Sequence, residues 1–271
     1  VTNLQALVLG VVQGLTEFLP ISSTAHLRIV PALLGWPDPG ASFTAVLQLG
    51  TLAAVLVFFA TDLGGIARGT LSALADPVRR RDPQARLGLY LVVGTLPVVV
   101  VGMLFKNAIR GGLRALPVIA TALIVVAVAL AVVERLARHR RTFEEIVWSD
   151  VMIIGCAQAL ALIPGVSRSG ITILAAMAIG LRRDAAAHYS FLLSIPAVAG
   201  AAIFEMKHLM HSDVGALPMA IGLLAAAATG YASIAWLLRY LRTRTMFPFV
   251  GYRIALGLAI FGLLGAGLLQ P

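Results

Sequence analysis

Residues 13–26 read QGLTEFLPISSTAH, and the reading of this stretch decides the fold. Apolar sequence flanks it on both sides. Within it stand an amide (Gln13), a carboxylate (Glu17), the hydroxyls of Thr16, Ser22, Ser23 and Thr24, and an imidazole (His26), with Pro20 in the middle. Inside a bilayer such groups are costly, and function is their default explanation. The composition places the stretch there. Of 271 residues, 59% are hydrophobic and 12% charged, against about 25% charged in a soluble domain. The chain reads as a single polytopic, all-α membrane domain over residues 1–271.

The net charge is +9. In a membrane protein this excess belongs to loops facing anionic headgroups, and no interleaved aromatics point to nucleic acid. Cys156 is the only cysteine, which excludes an intrachain disulfide and a cysteine metal site. It falls in an apolar run and is expected to be a small core residue. The opening VTNLQALVLG lacks a basic leader, so the first apolar segment is expected to remain in the mature chain.

Working outward, residues 3–34 are apolar but broken at Pro20, at Ser22-Ser23-Thr24 and at Pro31. Neither half reaches the roughly 20 apolar residues a span needs. A re-entrant hairpin of two half-helices fits better, with its irregular backbone enclosed by protein or a wet cavity. Residues 146–181 are broken in the same way at PGVSRSGIT, 164–172. Full spans are expected at 43–60, 87–105, 115–134, 185–205, 215–238 and 247–269, with a polar loop at 61–86. The fold class expected is therefore six transmembrane helices plus two re-entrant hairpins.

An internal echo supports an inverted repeat, approximately 1–135 and 146–271. Gln13 and FLPISST (18–24) are matched by Gln158 and LIPGVSRS (162–169), and FTAVLQLGTLAAVLVFF (43–59) by YSFLLSIPAVAGAAIF (189–204). Three full spans per half invert the second half relative to the first. Loops 61–86, 135–147, 182–184 and 239–246 hold fourteen Lys and Arg, against five on the other side: Arg28, Lys106, Arg110, Arg114 and Lys207. The richer side is expected in the cytoplasm. The first hairpin then opens outward, and both termini lie outside.

The chemistry follows from the two breaks. Gln13 and Glu17 share a helical face. Ser22, Ser23 and Thr24 are good caps for the next half-helix, whose free N–H groups form an anion site. His26 lies in its first turn. In the second break Ser167 and Ser169 can cap, Thr172 follows, and Arg168 brings a guanidinium suited to phosphate. Its partner is either a substrate phosphate or, structurally, Glu17; for His26 the structural alternative is likewise pairing with Glu17. Together these groups suit phosphoryl transfer. A serine attacks phosphorus, His26 or Glu17 moves protons, and Arg168 and the helix N-termini stabilise charge. Gln13 and Glu17 offer oxygen ligands to Mg²⁺ or Ca²⁺. A site inside the bilayer implies a lipid-borne phosphate. The alternatives are a transporter or flippase of such a lipid and a carrier of a soluble anion.

QGLTEFLPISSTAH and PGVSRSGIT, with LQLGTLAAV between them, resemble the signature motifs of the bacterial undecaprenyl-pyrophosphate phosphatases of the bacitracin-resistance type. The resemblance covers essentially the whole chain. It implies hydrolysis of undecaprenyl pyrophosphate for cell-wall synthesis, dependence on a divalent cation, and an outward-facing site in the inner membrane. It implies Ser23 as nucleophile with Glu17, His26 and Arg168 as partners, leaving the choice between Ser23 and His26 open. It also implies Ser22, Thr24, Ser167, Ser169 and Thr172 around the substrate. The family motif places Glu or Gln four residues before Glu, and this chain has Gln13, so Glu17 is its one acid there. Elsewhere, His139, His208 and His211 read as solvated loop residues, His188 as an interfacial anchor, and Gln48 as structural support. The glycines Gly251, Gly257 and Gly262 allow close helix contact, within the chain or in a homodimer.

Overall fold

Pro20 and Pro164 set the plan of the molecule by stopping two helices inside apolar sequence. A computed structural model describes residues 1–76, 78–79, 82–105, 113, 115–209 and 214–269, with side chains except at 41–42 and 202–209. Lys106, Arg110, Arg114 and His211, the side chains of Lys207 and His208, and Arg80 and Arg81 of the basic loop lie outside the described residues. Among the described residues the chain forms eleven α-helices and no named strand.

The first broken unit is α1, Asn3–Phe18, and α2, Ser23–Leu33. A capping box starts α1: Thr2 Oγ1 accepts from the Gln5 N–H at 3.2 Å and Gln5 Oε1 from the Thr2 N–H at 2.8 Å. Leu19, preceding a proline, is extended and ends the helix. Then come α3, Gly40–Phe58, and α4, Ala60–Ala75, bent by 76° between them. The three helices α5, Pro83–Leu104, α6, Leu116–Leu136, and α7, Trp148–Ala159, follow. The second broken unit pairs α7 with α8, Arg168–Ala178. The chain closes with α9, Arg183–Leu209, α10, Ala216–Leu241, and α11, Phe247–Gly265.

Both breaks have one backbone conformation. Ser22 (φ 75°, ψ 96°) and Ser167 (φ 73°, ψ 119°) each cap the helix that follows, in a region that L-residues enter only under constraint. Their helices pack alike. A Cβ at Gly10 of α1 would lie 2.5 Å from the Gly222 carbonyl oxygen of α10, and one at Gly155 of α7 would lie 2.5 Å from that of Gly94 on α5. Only glycine permits either approach.

Four helices, α5, α6, α10 and α11, are long and apolar enough to cross a membrane, and the bent α3–α4 pair makes a fifth candidate. On α6 the outward row Val125, Val128 and Val132 is 59%, 51% and 48% exposed. Apolar side chains on both the packed and the open face mark a helix solvated by lipid. The chain is a multi-pass, all-α membrane protein. At 11 residues each, α2 and α8 are about 16 Å long, half the hydrocarbon thickness.

Three expectations need correction. The expected loop 61–86 is largely helix: α4 buries Ile66 and Gly69 and packs on α5, where a Cβ at Gly69 would meet Gln84 at 2.7 Å. Cys156 is exposed. Helix α7 buries Val151, Ile154, Gly155 and Gln158, and position 156 falls on the opposite face. His139 is not a solvated loop residue; its Nε2 meets the Glu134 carbonyl at 3.2 Å and its Nδ1 is buried.

Two basic residues assigned to loops are tied into the fold. Arg183 forks onto buried Glu134 at 2.5–3.0 Å. Arg141 donates to Asp150 at the start of α7 at 2.5 and 3.1 Å, and to the Ile179 carbonyl at the end of α8 at 3.1 Å. The Asp150 carboxylate holds the Arg141 guanidinium above its usual range. One side chain thus clamps both ends of the second hairpin. His188 bonds Asp62 at 2.9 Å and lies against Phe59 and Phe143, linking α9 to the start of α4.

Candidate active site

The two breaks meet. Ser169, in the first turn of α8, donates to the carbonyls of Leu19 at 3.1 Å and Glu17 at 3.3 Å. This caps the free carbonyl end of α1 and brings both half-helix N-termini to one place. Ser22 Oγ accepts from the Ala25 N–H at 3.4 Å, and Ser167 Oγ from the Gly170 N–H at 3.1 Å. Ser167 and Ser169 hydroxyls are 3.2 Å apart.

Glu17 is the centre of the cluster. Its Oε2 accepts from Ser23 Oγ at 2.6 Å and from Gln13 Nε2 at 3.0 Å. Its Oε1 accepts from Arg168 Nη2 at 2.7 Å. Arg168 also donates from Nη1 to the Ser194 carbonyl at 3.1 Å. The structure therefore contains the Glu17–Arg168 pair, one of the two partners expected for Arg168.

His26 is placed differently. It bonds neither Glu17 nor Ser23; Nδ1 is 2.7 Å from the Ser22 carbonyl oxygen and Nε2 is 2.6 Å from the Tyr252 hydroxyl. Thr24 is exposed beside Ser23. Thr172 is fully buried, and its hydroxyl bonds the Arg168 carbonyl at 2.8 Å and Ser190 at 2.6 Å. It stands behind Arg168 and braces the turn that carries it.

For a cation, the residues fit in part. Gln13 is buried, and its Oε1 has no hydrogen-bond partner. It is the unpartnered oxygen beside Glu17, whose own two oxygens already accept from Ser23, Gln13 and Arg168. Among the described residues no group of three His, Cys, Asp or Glu could hold a metal, so other oxygens must complete the shell.

Two residues of α11 escaped the sequence reading. Arg253 is completely buried. It donates to Pro20 O at 3.0 Å in one break, to Gly165 O at 2.9 Å and Val166 O at 3.1 Å in the other, and to Leu123 O at 3.2 Å and Ala122 O at 3.4 Å on α6. Each of its three nitrogens donates to a carbonyl; three of the five acceptors, Pro20, Gly165 and Val166, lie in the breaks, where no helix pairs them, and two lie on α6. The signal was available, because Arg253 is a charge inside an apolar span. Tyr252, its neighbour, carried no such signal.

A serine held by a carboxylate, an adjacent guanidinium and two capped helix N-termini thus meet inside a multi-pass membrane protein, an arrangement whose parts suit phosphoryl chemistry. The model of the family "Bacitracin resistance protein BacA" matches residues 6–259, and the chain belongs to that family. A Myxococcus xanthus protein named undecaprenyl-diphosphatase is 52% identical over 99% of this chain and 91% of its own length. A Nocardioides protein of that name is 50% identical over 98% of both chains. Undecaprenyl-diphosphatase 2 of Streptomyces coelicolor is 48% identical, covering 98% of this chain and 96% of its own.

Proposed function

We propose that this chain hydrolyses undecaprenyl pyrophosphate to undecaprenyl phosphate and inorganic phosphate, returning the lipid carrier to cell-wall synthesis. The observation that carries the reading is the 2.6 Å bond from Ser23 to a carboxylate that is itself paired with Arg168. Glu17 is placed to take the Ser23 proton as Oγ attacks the terminal phosphorus. Of the two candidate nucleophiles this favours Ser23, since both His26 nitrogens are engaged elsewhere. Arg168 and the α2 and α8 N-termini face the charge that develops on phosphorus-bound oxygens. Ser22, Thr24, Ser167 and Ser169 line the anion site, and Thr172 supports Arg168. Water then releases phosphate from Ser23, with His26 as the second proton carrier.

Gln13 Oε1 and Glu17 are the residues we assign to a divalent cation, Mg²⁺ or Ca²⁺, which they would hold beside the anion site. Such an ion neutralises phosphate charge. In the bilayer we place six spans and two re-entrant hairpins, related as inverted repeats near 1–135 and 146–271. The shared conformation of Ser22 and Ser167 and the paired glycine crossings support this. The site then faces the periplasm from the inner membrane, with both termini outside. For a homodimer contact we assign Gly251 and Gly262, which meet nothing within 4 Å, rather than Gly257, which packs on Ile124. The names of the relatives favour hydrolysis over transport.

The test is phosphate release from a polyprenyl pyrophosphate by purified protein in detergent. Wild type is expected to release phosphate and Ser23→Ala to release none. Release at the wild-type rate by Ser23→Ala would remove Ser23 from the mechanism.

A further inference from the structure

We propose that Tyr252 belongs to the proton-transfer chain of this site, its hydroxyl carrying protons between His26 and the phosphate. The inference rests on the roles assigned above to Ser23, Glu17 and His26.

The two nitrogens of His26 have different partners. Nδ1 lies 2.7 Å from the Ser22 carbonyl. A carbonyl only accepts, so Nδ1 carries a proton whether the ring is neutral or charged. Nε2 is therefore the nitrogen that exchanges. Nε2 lies 2.6 Å from the Tyr252 hydroxyl, and the two rings are nearly parallel, 8° apart in plane with centroids at 5.6 Å. Turning the imidazole toward the phosphate would break both bonds. His26 is 8% exposed, whereas Tyr252 is 45% exposed. The group that touches Nε2 is the tyrosine hydroxyl, on the more exposed residue of the pair, and it donates and accepts at once.

Glu17 is not free to serve a second proton transfer. Its oxygens are taken by Ser23, Gln13 and Arg168. It serves the nucleophile, and the water that later attacks phosphorus needs a separate proton acceptor. That acceptor is reached through α11.

The steps balance. In the first, Ser23 Oγ bonds to phosphorus and its proton passes to Glu17. The bond from phosphorus to the lipid phosphate oxygen breaks, and the electron pair stays on that oxygen. That oxygen leaves as the phosphate anion, while the neutral His26 keeps Nε2 as acceptor of the Tyr252 hydroxyl. In the second, water bonds to phosphorus and loses a proton to Tyr252, whose own proton passes to Nε2. The Ser23–phosphorus bond breaks, and Glu17 returns its proton to Ser23. The Nε2 proton then leaves through the Tyr252 hydroxyl to the released phosphate, so that His26 and Tyr252 are unchanged over the cycle.

Tyr252→Phe keeps the ring against His26 and removes only the hydroxyl. It should be compared with His26→Gln and with the double variant, using phosphate release from a polyprenyl pyrophosphate in detergent, with thermal stability read in parallel. Tyr252→Phe is expected to lower kcat about tenfold or more, with KM and stability near wild type. In the His26→Gln background it should add nothing. Wild-type kcat in Tyr252→Phe, with His26→Gln impaired, overturns the relay and leaves the role of His26 standing. Full additivity in the double variant also overturns it, as a structural role would give. Wild-type activity in His26→Gln would overturn the role of His26 and the relay together.

Discussion

Arg168 donates to Glu17 at 2.7 Å across 151 residues of sequence, joining the two broken helices through two of the groups proposed to carry the chemistry. Each side chain is mostly buried, at 17% and 10% exposure. A lone charge of either sign there would be costly, so each makes the other tolerable. The same pairing holds Glu17 toward Ser23 and Arg168 toward the anion site. Glu17→Gln removes the proton acceptor, and Arg168→Met removes the cation. Each is expected to cut kcat by about 10²–10³-fold, read as phosphate release. Wild-type turnover in either variant would refute the site.

Cation dependence provides a second check. A chelator is expected to abolish phosphate release, and Mg²⁺ or Ca²⁺ to restore it. Gln13→Glu replaces the unpartnered Oε1 with a charged oxygen. The half-saturating cation concentration should fall by about tenfold, or 1.4 kcal/mol. A titration curve identical to wild type would place the cation elsewhere.

Arg253 is expected to matter for folding as much as for activity. Arg253→Met strands the carbonyls of Pro20, Gly165 and Val166. An unpaired buried acceptor costs about 1–3 kcal/mol. The thermal transition in detergent should drop well below wild type, and Arg253→Lys, with fewer donors, should fall between. A transition at the wild-type temperature in Arg253→Met would rule out the clamp.

The positive φ of Ser167 (73°) gives a backbone test away from the nucleophile. Ser167→Gly suits that conformation and costs only a few tenths of a kcal/mol as a cap. Ser167→Val loses the cap and puts a β-branched side chain where the strain is about 1–3 kcal/mol. Denaturation of the two variants should rank them Gly above Val. The reverse order would mean that the break relaxes on substitution.

Arg141 tests the clamp on the second hairpin. Asp150, 5% exposed, also accepts from the Val147 N–H at 2.9 Å. Arg141→Ala leaves this carboxylate without its cation, a loss of about 3 kcal/mol for a buried pair. Amides at the start of α7 should then exchange faster than in wild type, and equal exchange would show the pair to be dispensable.

Much of this architecture is legible in the sequence because its causes are local. Pro20 and Pro164 stop helices, Ser22 and Ser167 restart them, and each acts within a few residues. The expected loop 61–86 failed for a reason of the same scale turned around. Its arginines outweigh a helix whose stability comes from packing Gly69 on α5, and charge content does not report packing. Cys156 failed because an apolar run does not say which face is buried.

The site divides in the same way. Sequence alone determined that Glu17, Ser23, His26 and Arg168 sit at two helix breaks in an apolar chain, since proline geometry, capping and the cost of polar groups in lipid are properties of short segments. Only the tertiary structure decided which of them touch. It gave Ser23 to Glu17 and His26 to Tyr252, and it put Arg253 between the breaks. Those choices depend on which helix faces pack across 226 and 233 residues, and no local rule carries that far.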